Sequence, residues 1–192
     1  VALNYDLDAP LVECTSIEDW KEKAKGHKVF VTPHHMGYQG GYRGYNWKCF
    51  TEGDITPFVE MYSRHGLAES DQGDYPYLHD MGPRQWEGTI QYGLELGNKF
   101  GIMASTDQHS GYPGSYGDGR IGVLAPSLTR DAIWEALRTR HVCAATGDKI
   151  IIDFRLNDAL MGDVVRGNSR RIYLNVTGES CIDDGLPFFL KF

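Results

Sequence analysis

The order of segments in this chain predicts an α/β fold with parallel strands. Three observations carry that expectation. Short apolar runs, "KVFVT" (28–32), "PFVEMYS" (57–63) and "KFGIMAST" (99–106), read as buried strands. Amphipathic helical patterns fall before and between them, and polar or glycine-rich loops follow their carboxyl ends. In such sheets and barrels, functional residues gather on the loops at the carboxyl ends of the strands.

Taken in order, Thr15-Ser16-Ile17-Glu18 has the form of a capping box, opening a helix of about ten residues that Gly26 closes. Pro33 halts the first strand, and a glycine–tyrosine loop, "MGYQGGYRGYNWKCFTEGD", runs to the second. Another long polar loop, "RHGLAESDQGDYPYLHDMG", comes next. From Pro83 to Asn98, Trp86, Ile90 and Leu94 recur every fourth position, which places them on one helix face. After the third strand and its loop, Thr129 caps a helix through Arg140 with Ile133, Trp134 and Leu137 on its apolar side. "KIIIDFRL" and "RIYLNVT", joined by "NDALMGDVVRGNS", read as antiparallel or barrel-closing strands.

Hydrophobic residues make up 41% of the 192 and aromatics 12%, enough to build a sizeable core and too many for a disordered chain. The formal charge of −7 lacks the basic footprint that nucleic acid or an anionic membrane surface requires. Cys14, Cys49, Cys143 and Cys181 lie far apart with no CxxC, against a disulfide scaffold or a structural zinc site. No apolar run reaches the length of a membrane span. The chain starts at Val1 and ends in "GLPFFLKF", so it is expected to be part of a larger protein.

Three strands lead into ligand-type side chains: "VFVTPHH" into His34 and His35, "FVEMYSRH" into Glu60 and His65, and "IMASTDQH" into Asp107 and His109. Carboxylates and imidazoles are what borderline divalent metals take from proteins. With period two, Asp107 and His109 point to one side, whereas His34 and His35 point to opposite sides. A DxH also recurs by chance, so spacing alone leaves metal ligation and a structural pair both open. His27, His79 and His141 read as structural. The aromatic loop carrying Tyr38, Tyr42, Tyr45 and Trp47 fits a compact self-packed loop better than a platform for a sugar or base.

"ASTDQHSG" resembles the last metal-binding motif of the PHP (polymerase and histidinol phosphatase) superfamily, and "VFVTPHHMG" is similar to an earlier strand ending in a metal-binding histidine. "VEMYSRHGLAES", "STDQHSGYPG" and "LTRDAIWEALRTRHVCAATGDKI", in this order, resemble a PHP-like family over most of residues 28–165. The resemblance implies a partial, distorted (β/α)7-type barrel over 1–165, with a β-rich flank at 166–192. It implies two or three Mn, Zn or Fe ions and hydrolysis of a phosphorylated small molecule. His34, Asp107 and His109 match its metal ligands, Glu60 more weakly, and His35 and His65 stand as candidates for proton transfer to the leaving oxygen. Arg43 and Arg120 are candidates for phosphate contact. The superfamily's opening HxH is absent, so the rest of a longer chain, or another subunit, is expected to complete the site. The competing class is a non-catalytic or degenerate binding module; a metal-dependent hydrolase of another bond is a third.

Overall fold

The structure, a computed structural model, describes residues 2–9, 11–50, 53, 55–72, 82–112, 118–147 and 149–178. The elements run β1 (Ala2–Asn4), α1 (Ile17–Lys23), β2 (Val29–Val31), β3 (Phe58–Ser63), β4 (Gly66–Leu67), α2 (Ile90–Glu95), β5 (Gly101–Ala104), β6 (Arg120–Val123), α3 (Arg130–Arg138), β7 (Val142–Ala145), β8 (Ile151–Leu156), β9 (Ala159–Leu160) and β10 (Ile172–Thr177). Short 3₁₀ turns lie at Trp47–Cys49 and Trp86–Gly88.

These elements do not make the expected (β/α)7-type barrel. The strands form four small sheets, ordered β1–β2, β4–β3–β5, β6–β7 and β10–β8–β9, and none of them closes. Among the described residues only β3 and β5 pair in parallel; every other ladder is antiparallel. The three helices hold seven, six and nine residues. A parallel barrel needs a helix in each crossover, and the described residues do not supply them. Between β2 and β3 runs the glycine–tyrosine loop, where Gly37 and Gly41 take left-handed backbone. Gly44 lies so close to Tyr38 that an added Cβ would sit 1.8 Å from that residue's carbonyl oxygen.

Local expectations fared unevenly. α1 is capped one residue later than expected: Ser16 Oγ accepts from Asp19 N, and Asp19 reaches back to Thr15 N at 3.0 Å. α2 starts only at Ile90, where fully buried Thr89 caps it, and Leu94 is exposed, so Trp86, Ile90 and Leu94 do not share a buried face. α3 starts as expected, with Thr129 accepting from Ala132 N, and ends at Arg138, short of the expected Arg140. β8 and β10 pair antiparallel as expected, with β9 formed inside their connection.

β3 is the centre of the core because both of its faces are covered. Val59 and Met61 pack with Met36, Tyr38, Trp47, Ala68 and Ile90. Phe58 faces the other way, with Phe30 and Val142, over Trp134 and Leu137 of α3; Phe30 stacks on Trp134 at 4.0 Å. Burying a phenylalanine such as Phe58 stabilises by about 1.5–3 kcal/mol. Tyr38 and Trp47 are buried and Tyr45 packs beside them, while Tyr42 is exposed. The loop is therefore anchored in the main core through Tyr38 and Trp47, which pack with Val59, Ala68 and Ile90, and is not packed by its own side chains alone. His79, Cys181 and the "GLPFFLKF" tail lie outside the described residues. Among those described, no helix is long and apolar enough to cross a membrane.

Candidate metal centre

The side chains of interest meet at the carboxyl ends of β2, β3 and β5. Pro33 has no N–H and ends the β2 run, and His34 and His35 follow at once. His35 takes left-handed backbone, φ 55°, which swings its ring to the side His34 already faces. The expected opposite placement fails for that reason: the two rings lie 3.7 Å apart between centroids. Asp107 is also left-handed, φ 47°. β5 ends at Ala104, so the period-two argument does not extend to Asp107 and His109. A non-glycine residue in this region costs on the order of 1–3 kcal/mol, and both such residues here carry metal-ligating side chains.

Asp107 is the hub. Its side chain is 10% exposed, and its Oδ2 lies 3.4 Å from His34 Nε2, 3.7 Å from His35 Nε2 and 2.9 Å from His65 Nε2. That oxygen is buried, yet it accepts no hydrogen bond. The nitrogens are near enough, but their geometry does not aim an N–H at it. Atoms bound to one ion about 2.0–2.1 Å away sit about 2.8–3.4 Å from their neighbours in octahedral or tetrahedral shells. The His34, His35 and Asp107 ligand atoms all lie within 4.8 Å of one another, so this trio could hold a metal ion. Two imidazoles and a carboxylate suit Zn, Mn or Fe.

The remaining candidates fall in distinct places. Glu60, buried within β3, faces His34 from behind: its Oε1 accepts from His34 Nδ1 at 2.9 Å, and its Oε2 accepts from the Ser105 hydroxyl. It is thus not in the ligand trio. His65 was expected in a long loop; instead it lies in the tight turn between β3 and β4, where Gly66, φ 106°, lets the chain reverse. Its N–H donates to Ser63 Oγ at 3.2 Å, and its carbonyl accepts from Tyr38 Oη at 3.2 Å. His109 reaches the other Asp107 oxygen, Nε2 to Oδ1 3.4 Å, with its ring 88% exposed. Arg43 is an exposed loop residue, and Arg120 opens β6 opposite Ala145; neither is among the groups that meet Asp107 above. His141 pairs with Asp163 at 3.0 Å, away from the cluster.

Electrostatics divide the two adjacent histidines. Burial works against the charged form of His34, but the hydrogen bond and charge of Glu60, with the charge of Asp107, outweigh it and raise its pKa. His35 is lowered, first by burial and then by the charge of His34, which Asp107 and Glu60 only partly offset.

The comparisons with known proteins give uncharacterised relatives. The chain is similar to an uncharacterised protein of Chlamydia trachomatis serovar D, 28% identical over 130 residues, covering 62% of this chain and 21% of the relative. It is similar to one of Chlamydia muridarum, 30% identical over 115 residues, covering 54% and 18%. A third, from Chlamydia pneumoniae, is 27% identical over 122 residues, covering 58% and 20%. The match spans about a fifth of the length of each. No protein-family model and no solved structure matches the chain. The PHP resemblance therefore rests on its motifs.

Ser105 is the residue of the site that the sequence reading passed over. It stands inside the quoted "ASTDQHSG" string, two residues before Asp107, and its small hydroxyl was the available signal.

Proposed function

We propose that the chain carries the metal-binding part of a metal-dependent hydrolase, with a phosphoester as its substrate. The observation that supports this most is the buried Asp107 Oδ2, without a hydrogen bond and surrounded by the nitrogens of His34, His35 and His65. A buried carboxylate oxygen left in that state is costly unless a cation completes it. A divalent ion bound there lowers the pKa of a coordinated water and offsets charge on phosphoryl oxygens.

The residues then divide the work. His34, His35 and Asp107 hold the ion, and the lowered pKa of His35 keeps its ring neutral and able to donate a lone pair. His65 lies outside the trio and is half-buried beside Asp107, so it takes the role of protonating the leaving oxygen in preference to His35. A second ion, as the PHP resemblance implies, draws on Asp107 Oδ1, on His109 and on ligands from the remainder of a longer chain or from another subunit. The substrate's phosphate is the expected partner of Arg43 or Arg120.

Elemental analysis of purified protein tests the metal, and a panel of aryl phosphate mono- and diesters tests the bond, with aryl amides and glycosides alongside. At least one equivalent of Mn, Zn or Fe with phosphate-ester turnover is expected. Metal uptake with turnover of an amide or glycoside alone moves the reading to another hydrolase. Metal-free protein that takes up no added ion leaves a non-catalytic module.

A further inference from the structure

We infer that Ser105 is a positioning residue: through Glu60 it fixes the ring orientation and tautomer of His34, so that Nε2 is the atom presented to the Asp107 side. The inference deepens the metal-centre reading above and rests on it for its consequence, although the hydrogen-bond chain itself is a matter of geometry.

The chain of contacts runs Ser105 Oγ–H to Glu60 Oε2, then Glu60 Oε1 to His34 Nδ1 at 2.9 Å, then His34 Nε2 to within 3.4 Å of Asp107 Oδ2. An ionised carboxylate only accepts, so His34 Nδ1 must carry the proton and a neutral His34 keeps a bare lone pair on Nε2. That is the form a ligand needs, and carboxylates behind ligating histidines hold them in this way. Glu60 by itself does not settle the arrangement, because a carboxylate can rotate or present its other oxygen. Ser105 occupies the second oxygen and removes that freedom.

The fold fixes Ser105 in turn. Its N–H donates to the Tyr62 carbonyl at 2.9 Å, continuing the parallel β3–β5 pairing beyond Ala104. A register shift between Glu60 and Tyr62 adjusts β3 at this point. On the other side Gly119 presses in so closely that a Cβ there would sit 2.5 Å from the Ser105 carbonyl oxygen. The hydroxyl is thus delivered to Glu60 by backbone that has little room to move.

The test reads the tautomer directly, in metal-free protein labelled with ¹⁵N-histidine, from long-range ¹H–¹⁵N correlations of His34. At a pH alkaline enough to keep His34 neutral despite its raised pKa, wild type is expected to show Nδ1–H with bare Nε2. Ser105→Ala is expected to give a mixture of tautomers with an unchanged far-ultraviolet dichroism spectrum, and Ser105→Thr to restore the single form. Glu60→Gln, whose amide can donate to Nδ1, is expected to populate Nε2–H. Zn²⁺ titration should then weaken by about 10–100-fold in Ser105→Ala and Glu60→Gln, the usual cost of losing such a partner. A His34 tautomer indifferent to Ser105→Ala overturns the inference, and so does a changed tautomer with undiminished Zn²⁺ affinity. Wild type that binds no Zn²⁺ removes the metal reading instead, and the tautomer measurement still decides the role of Ser105.

Discussion

Replacing Asp107 by asparagine separates a ligand from a structural role. Asparagine has nearly the same volume and also tolerates left-handed backbone, so the φ of 47° is kept and only the charge is lost. Without metal, the change is expected to cost no more than about 1 kcal/mol, which for a chain of this length is about 2–4 °C in Tm. With metal the two proteins diverge. An ion at 100 times its Kd stabilises the native state by about 2.7 kcal/mol, so wild type should gain about 5–11 °C at the same conversion. Asp107→Asn should gain almost none of it, since the buried oxygen facing three imidazoles within 3.7 Å is replaced by a neutral amide. Differential scanning calorimetry with chelator, then with graded Zn²⁺ or Mn²⁺, measures both terms. A metal-induced shift of equal size in the two proteins refutes the ligand assignment; a large fall in Tm of the metal-free variant shows a structural carboxylate instead.

Two further outcomes test the fold around the site. Gly93→Ala should destabilise by about 1–3 kcal/mol in urea, although alanine is the better helix former by about 1 kcal/mol; a Cβ there meets Trp47 Cζ2 at 2.2 Å, and that indole is tied to the Thr89 carbonyl at 3.0 Å. A neutral or stabilising result removes the tight Trp47–α2 packing. Asp163 is held below its ordinary pKa first by its hydrogen bond to His141, with the Leu160 N–H adding to it. A depressed folded pKa means stability present above the unfolded value and lost as pH falls through the folded one. The Tm gap between wild type and Asp163→Asn should therefore be steady near about pH 5–6 and close below about pH 4; a gap that widens on acidification has the wrong sign.

What the sequence made legible was element identity where hydrophobic pattern and caps agree, as at β3, β5, α3 and the β8–β10 pair. Pairing was not legible. The same short apolar run serves a parallel barrel or a small antiparallel ladder, and the choice depends on whether the connections can be helices. The glycines between His35 and Trp47 decide against a helix there, as the sequence already indicates. The "RHG" that opens the expected polar loop suits equally a two-residue turn, Arg64-His65, with Gly66 leading the chain back as β4.

The candidate site was legible in its residue types and not in its directions. Period two holds only while the backbone stays extended, and the backbone leaves that region at His35 and at Asp107. These departures are informative in themselves. Glycine adopts left-handed backbone without steric penalty, and this chain uses glycine for it at ten described positions, yet not at these two. Four described non-glycine residues take it as well, His35, Asp107, Arg140 and Asn157, and the first two of them belong to the trio with ligand atoms within 4.8 Å of one another. At His35 and Asp107 this backbone turns the two side chains toward each other, and what they share is the buried oxygen and the nitrogens gathered around it.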